Sequence, residues 1–106
     1  MTITFTDGTH TTSTSEDTLS EVTANAHFAF WIHLHNMASG DTFRIKVYVR
    51  DSNAGTDRLY LIQDVSGAQS SPAFYQPYVT TKKHKVTIQK TAGTNRAVTW
   101  ERIEVT

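Results

Sequence analysis

Apolar and polar residues alternate along most of the chain, which is the pattern of strands that bury one face. The clearest run is residues 43–50, where Phe, Ile and Val alternate with Arg, Lys and Tyr. Similar runs cover residues 28–35, 58–65, 83–89 and 97–105. We predict a hairpin between 43–50 and 58–65, and a second hairpin between 83–89 and 97–105 around a tight turn at 92–95.

The last of these runs changes its pattern partway. Val98 and Trp100 have one parity, whereas Ile103 and Val105 have the other. A β-bulge near Glu101 would reconcile the two parities, and burial of both faces is the alternative. The predicted core takes the apolar residues of shared parity in each run: Phe28, Phe30, Ile32, Leu34, Phe43, Ile45, Val47, Val49, Leu59, Leu61, Val86, Ile88, Val98 and Trp100.

Two segments lack this alternation. Residues 1–25 are rich in Thr and Ser, and beyond Ile3 and Phe5 they offer almost no large apolar side chain. They are expected to form an extended N-terminal arm, or a hairpin around Asp7-Gly8 that needs another surface to pack on. Residues 67–78 hold both prolines, which predicts a crossover loop with a short edge strand.

The composition agrees with strands. The chain has 18 Thr and 8 Ser among 106 residues, and the β-branched Thr favours sheet over helix. Short strands about ten residues apart, joined by Gly, Asn, Asp and Pro turns, are typical of small β-sandwiches. The expected fold is a single all-β domain over 1–106: an antiparallel β-sandwich or jelly roll of about seven to eight strands in 26–106, preceded by the arm in 1–25.

Charge is divided unevenly along a neutral chain. Residues 1–43 contain five acidic and no basic residues, whereas residues 44–106 contain all ten basic residues and five acidic ones. Such asymmetry suggests contacts between the halves, within one chain or between copies, although the signs could simply intermix on the surface. The candidate protein-contact residues are Ile3, Phe5, Glu16, Asp17, Glu21, Arg44, Lys46, Arg50, Lys82, Lys83 and Lys85.

Two groups of side chains carry weak metal-binding patterns. His33 and His35 would lie roughly 6.6 Å apart on one strand face, without a third ligand of the same parity. Asp51, Asn53 and Asp57 have the alternate spacing of a calcium loop, but Gly55 and Ile62 stand where that loop needs ligands. We expect a hairpin turn and a polar sheet face instead, with no metal or other cofactor.

Other function classes lack their signatures. The chain has no cysteine, no nucleophile elbow, no phosphate-binding glycine loop and no zinc-protease motif, so we expect no enzyme. The neutral charge balance argues against nucleic acid as a partner. No apolar run is long enough to cross a membrane, and the first residues do not resemble a signal peptide, so neither a membrane partner nor export is expected.

The later two thirds of the chain resemble small β-sandwich virion proteins of tailed phages and related viruses. The resemblance lies in the strand DTFRIKVYVR at 41–50, in 58–60, in 72–73, in KVTIQKTAGT at 85–94 and in 100–101, and it covers about residues 26–105. It implies a structural protein of the virion, synthesised in the host cytoplasm, such as a head decoration or cement protein or another capsid accessory. Its implied partners are capsid or other virion proteins and further copies of itself, a trimer being one form.

The alternative function is a carbohydrate- or ligand-binding sandwich module. Its candidate stacking residues are the aromatic side chains Trp31, Tyr48, Tyr60, Tyr75 and Tyr78. A decoration protein and a sugar-binding module differ in solution mass and in their response to glycans, which separates the two functions.

Overall fold

The chain is described by a computed structural model that covers residues 1–50, 55–70 and 72–106. These residues form β-strands and turns without any helix, as the all-β prediction requires. The strands are β1 (Ile3–Thr11), β2 (Asp17–His33), β3 (Thr42–Arg50), β4 (Asp57–Ser66), β5 (Pro72–Ala92) and β6 (Ala97–Val105).

All six strands of the described residues belong to one antiparallel sheet, in the order β1-β6-β2-β5-β3-β4. The all-β antiparallel class is confirmed. The sandwich or jelly roll of seven to eight strands is not confirmed, because two long strands replace several predicted short ones. β2 has 17 residues and β5 has 21, and they pair with each other along most of their length.

The sheet bends so that its two halves pack against each other. Gln76 and His84 are eight residues apart on β5, a distance of about 26 Å in a straight strand. Their side chains are nevertheless hydrogen-bonded, with 2.6 Å between His84 Nε2 and Gln76 Oε1. Irregularities in the β2–β5 register, including one between Thr23 and Ala26, accompany this bend.

The core lies between the two halves of the bent sheet. Ten of the predicted core residues are fully buried: Phe28, Phe30, Ile32, Leu34, Phe43, Ile45, Val47, Val86, Ile88 and Val98. Leu61 and Trp100 are partly buried and pack against the core. Alternation in the strands therefore identified most of the buried side chains.

The core prediction is wrong at Leu59, which is 50% exposed, and Val49 is only half-buried. The register irregularity between Val47 and Tyr48 places Leu59 opposite Tyr48, on the outward face of the sheet. Val49 keeps the core parity but lies near the end of β3, where less of the sheet covers it. Four further large apolar side chains outside the predicted list belong to the core: Leu19, Met37, Val65 and Phe74.

One predicted hairpin is confirmed and the other is wrong. β3 pairs with β4 from Thr42 opposite Ser66 to Arg50 opposite Asp57. β5 and β6 follow each other closely in sequence but do not pair. The last part of β5 already has β2 on one side and β3 on the other, so β6 pairs with β1 and β2 instead.

The predicted bulge near Glu101 is absent from the described strands, since β6 keeps one register with both neighbours. Its side chains on both faces are mostly half-buried, which agrees with the alternative interpretation of its mixed pattern.

The N-terminal hairpin around Asp7-Gly8 is also wrong. β1 runs without interruption through both residues and pairs with the whole of β6. Gly8 is needed there for space rather than for a turn, because a Cβ atom at Gly8 would lie 2.7 Å from the Trp100 ring.

The crossover loop predicted from the two prolines in residues 67–78 is interrupted by β5, which runs through Pro77. Pro77 lies beside a register irregularity, where the strand pairing tolerates the missing N–H.

A buried carboxylate joins two turns at one end of the sheet. Asp41 is 2% exposed and accepts hydrogen bonds from the backbone N–H groups of Thr94 and Ala38 and from Arg96 Nε, at 2.8–2.9 Å. These donors, the Thr94 N–H above all, lower the pKa of Asp41 to about 2. The turn before β3 is thereby fixed to the turn before β6.

Gly93→Ala is expected to disrupt this connection. Gly93 has φ +86°, and an added Cβ would collide with the Asp41 carboxylate and backbone. We expect the free energy of unfolding to fall by about 3 kcal/mol, measured by urea denaturation. Gly40→Ala is the matched control, because Gly40 also has a positive φ (91°) but open space around it, and it should cost only about 1 kcal/mol. Equal losses in both variants would contradict the collision.

Candidate interaction surface

The sheet has one outward face that is apolar and aromatic. Opposite residues in an antiparallel pair share a face, so the register identifies its members. Phe5 lies opposite Ile103, Ile3 lies opposite Val105, and Trp31 lies opposite Tyr75. The side chains of the other parity, such as Phe28, Phe30 and Val98, point into the core. We call the following residues the aromatic face: Ile3, Phe5, Trp31, Tyr75, Tyr78, Ile103 and Val105.

Much of the aromatic face is accessible to solvent. Phe5 is 68% exposed, Ile3 and Tyr78 about half, and Tyr75 42%. The other members are half-buried. Isolated apolar residues on a surface are ordinary, but a contiguous apolar patch on a sheet face indicates a binding surface.

A polar rim adjoins the aromatic face. The rings of Trp31 and Tyr75 lie 4.2 Å apart between centroids, at an interplanar angle of 35°. Asp7 lies opposite Glu101, which in turn lies opposite Trp31. A cleft of about 330 Å³ is lined here by Asp7, Gly8, Thr9, His33, Thr99, Trp100 and Glu101. The arrangement places carboxylate acceptors beside a pair of aromatic rings in contact at a tilted angle.

A larger cleft of about 520 Å³ lies where the sheet bends. His27 lines it and hydrogen-bonds Thr80 through Nδ1 at 2.5 Å, and Lys82 and Arg50 line it as well. Val105 belongs both to this cleft and to the aromatic face. The cleft therefore extends the surface with basic groups.

The opposite outward face, on β3 and the adjacent parts of β2, β4 and β5, carries most of the charged contact candidates. Ion pairs link Lys46 to Glu16 (3.5 Å), Lys83 to Glu21 (2.9 Å) and Arg44 to Asp64 (2.9 Å). Lys83 also contacts Asp57 at 2.7 Å, and Arg50 contacts the same carboxylate at 3.3 Å. Lys85 lies 5.5 Å from the centre of the Tyr48 ring.

Glu16 and Asp17, which lie near the N-terminus, have partners within the chain. Tyr48 donates to Glu16 at 2.7 Å, which lowers the pKa of Glu16, while burial and this carboxylate raise the pKa of Tyr48 to about 12. Asp17 is hydrogen-bonded to His10 and Ser13, and these bonds lower its pKa. The uneven charge of the two sequence halves is thus matched by ion pairs inside one molecule, including Asp41 with Arg96.

The metal candidates are not brought together in the described residues. His33 ends β2, whereas His35 lies in the following turn. Asp57 is engaged with Lys83 and Arg50, and Asp51 and Asn53 lie outside the described residues. Within residues 1–50, 55–70 and 72–106, no three His, Asp or Glu side chains lie close enough to hold a metal ion.

A buried polar pair lies behind the aromatic face. His84 is fully buried, and its ring stacks on Phe28 with 5.0 Å between centroids. Its Nε2 donates to Gln76 Oε1, and Gln76 Nε2 donates to the Phe28 carbonyl at 2.9 Å. Burial, assisted by the Arg102 charge, lowers the pKa of His84 to about 4. This pair links the two halves of β5 to each other and to β2 inside the core.

Sequence reasoning found some parts of this surface and missed others. It named Ile3 and Phe5 as contacts and Trp31, Tyr75 and Tyr78 as stacking residues, but it did not place these two sets on one face. The sequence signal for Ile103 and Val105 is the change of parity within β6. It arises because the outward face of this strand is apolar at these two positions, while Val98 and Trp100 have the parity of the core face. Pairing of β1 with β6 supplied the missing link.

Comparisons with known proteins leave the surface without an assigned role. No protein-family model matches the chain, and searches of curated proteins and of solved structures find no similar protein. None of the described residues belongs to a helix able to span a membrane.

Proposed function

We propose that this protein is a non-enzymatic structural protein of a virion, a head decoration or cement protein or another capsid accessory, that acts through protein contacts. In this role the bent sheet serves as a small β-sandwich whose aromatic face binds a capsid protein. The observation that carries the proposal is the contiguous apolar surface on β1, β6, β2 and β5, since such patches are typical of protein interfaces.

Two further features support a contact role. The charged face is largely neutralised by ion pairs within the chain, which favours the aromatic face as the binding surface. The resemblance of residues 26–105 to virion proteins points to the same class of function.

The direct test is to look for this chain in particles. An antibody raised against the protein is used on virus particles purified by density gradient from the source culture. Comigration with the capsid proteins supports the proposal, and absence of the chain from purified particles overturns it.

Tyr78→Asp is expected to weaken binding of added protein to such particles at least about tenfold, measured by cosedimentation, because it puts a charge into an apolar contact. Tyr60→Asp is the matched control, since Tyr60 on β4 and Tyr78 are each 51% exposed. Equal binding by the two variants would exclude the aromatic face as the contact.

Carbohydrate binding is the second candidate function. It is favoured by the Trp31–Tyr75 pair beside the Asp7 and Glu101 carboxylates, because sugars stack on aromatic rings and donate hydroxyl hydrogens to carboxylates. Saturable tryptophan fluorescence changes on titration with oligosaccharides, abolished by Tyr75→Ala, would favour it over the virion role.

A further inference from the structure

β1 is an edge strand whose outer backbone groups can be identified. Thr2 and Thr106 exchange both backbone hydrogen bonds, at 2.9 and 3.0 Å, and Thr12 N–H donates to the Arg96 carbonyl. Because hydrogen-bonded and non-hydrogen-bonded pairs alternate, the even-numbered residues of β1 point their backbone groups toward β6. The odd-numbered ones point theirs outward: Ile3, Phe5, Asp7, Thr9 and Thr11. In the described part of the chain, no strand pairs with this side of β1.

This edge lacks the features that normally prevent strand pairing. β1 has no Lys, Arg or Pro, and its register with β6 is unbroken over all nine residues. The other edge strand differs. β4 has a register irregularity beside Leu59 and Leu61 and carries Asp57, Arg58 and Asp64. Natural edge strands are protected by bulges and charges of this kind. β4 has a bulge and three charged residues, whereas β1 has a single carboxylate, Asp7, and no bulge, so β1 is the more open edge.

The open edge fits a second copy of the same strand. Joining β1 of one copy to β4 of the next would build an open fibre, and the charges and irregularity of β4 oppose it. Joining β1 to β1 in antiparallel fashion closes after two copies. The odd-numbered residues of both strands then exchange their outward hydrogen bonds.

Charge selects the register of this pairing. Asp7 is the one carboxylate on β1. A two-fold axis at Asp7 would place two carboxylates directly opposite each other, which is unfavourable. An axis at Phe5 pairs the two Phe5 side chains, places Asp7 opposite Ile3 of the second copy and separates the carboxylates by about 13 Å, beyond the range of most screened repulsion.

We propose that two copies of this protein pair through the outer edges of β1, antiparallel and centred on Phe5, to form one sheet across the dimer. The two-fold axis is perpendicular to the sheet, so both aromatic faces lie on the same side and become continuous. In the proposed function, which this step rests on, the dimer would present twice the area of the aromatic face to a capsid protein. The backbone geometry that carries it does not depend on that role.

The first test measures mass by sedimentation equilibrium across a dilution series. The wild-type protein is expected to dimerise, and Phe5→Lys to weaken the dimer at least about tenfold, because two like charges would then face each other. Phe5 is 68% exposed, so the variant should fold normally. Ile62→Lys, on the edge strand β4, is the control and should leave the dimer intact. A monomeric wild type, or a dimer unaffected by Phe5→Lys, overturns the pairing.

The second test uses the absence of native cysteine to locate the axis. Phe5→Cys should form an intermolecular disulfide under mild oxidation, since directly opposite Cα atoms lie about 5.5 Å apart. Thr9→Cys and Gln63→Cys should not, and both variants keep Asp7. A pairing centred on Asp7 would place residue 5 opposite residue 9, so a mixed disulfide between Phe5→Cys and Thr9→Cys, or cross-linking of Gln63→Cys on β4, overturns the proposed register.

The outcomes also separate this inference from the proposed function. A monomer that still binds particles through Tyr78 overturns edge pairing and leaves the virion role standing. A β1-linked dimer that is absent from particles does the reverse.

Discussion

Val47→Asp is expected to unfold the protein. Val47 is fully buried in the middle of β3, opposite Leu61 of β4 and Val86 of β5. A carboxylate there would lose its hydration among apolar neighbours. Such an uncompensated buried charge costs several kcal/mol, against a total stability of about 5–15 kcal/mol for a domain of this kind.

The measurement is circular dichroism and a urea titration of the purified variant. Val49→Asp is the matched control, since Val49 lies two residues further along β3 but is only half-buried. It should remain folded with a smaller loss. A Val47→Asp protein that unfolds cooperatively at the wild-type midpoint would contradict the assignment of Val47 to the core.

Acidification from pH 6.5 to pH 4 is expected to remove about 3 kcal/mol of stability through His84. The pKa of His84 is lowered from 6.5 to about 4 in the folded protein. Between these values the unfolded chain binds a proton that the folded one does not, so stability falls as the pH falls. Below pH 4 both states are protonated and the loss is complete.

The structural reason is the environment of the His84 ring. Its Nε2 donates to Gln76, but its Nδ1 is buried and has no hydrogen-bond partner among the described residues. A proton on Nδ1 would be buried without an acceptor and near the Arg102 guanidinium, which also lowers the pKa.

Urea titrations at half-unit pH intervals measure this effect, and His84→Met is the control because it fills similar space without titrating. The wild-type slope between pH 5 and 6.5 should disappear in the variant, whatever its absolute stability. The carboxylates with lowered pKa, such as Asp41, contribute at lower pH. The same slope in His84→Met would show that another group is responsible.

The local pattern of the sequence determined the all-β class, the β3–β4 hairpin and most of the core. Alternation decides which side of a strand is apolar. Residues such as Phe43, Ile45 and Val47 are therefore buried whichever strands become the neighbours of β3. The same pattern marked Ile3 and Phe5 as apolar residues within a polar segment.

Only the tertiary structure decided which strands are neighbours, and therefore what the surface is. Strand order depends on which edges are already occupied, so β6 pairs with β1 and β2 rather than with β5, which it follows in the chain. That choice brings Phe5 beside Ile103 and leaves one edge of β1 without a partner strand among the residues that the structure describes. The bend in β5 likewise buries His84 against Gln76, a contact that no local pattern encodes because it depends on how two halves of a long strand fold together.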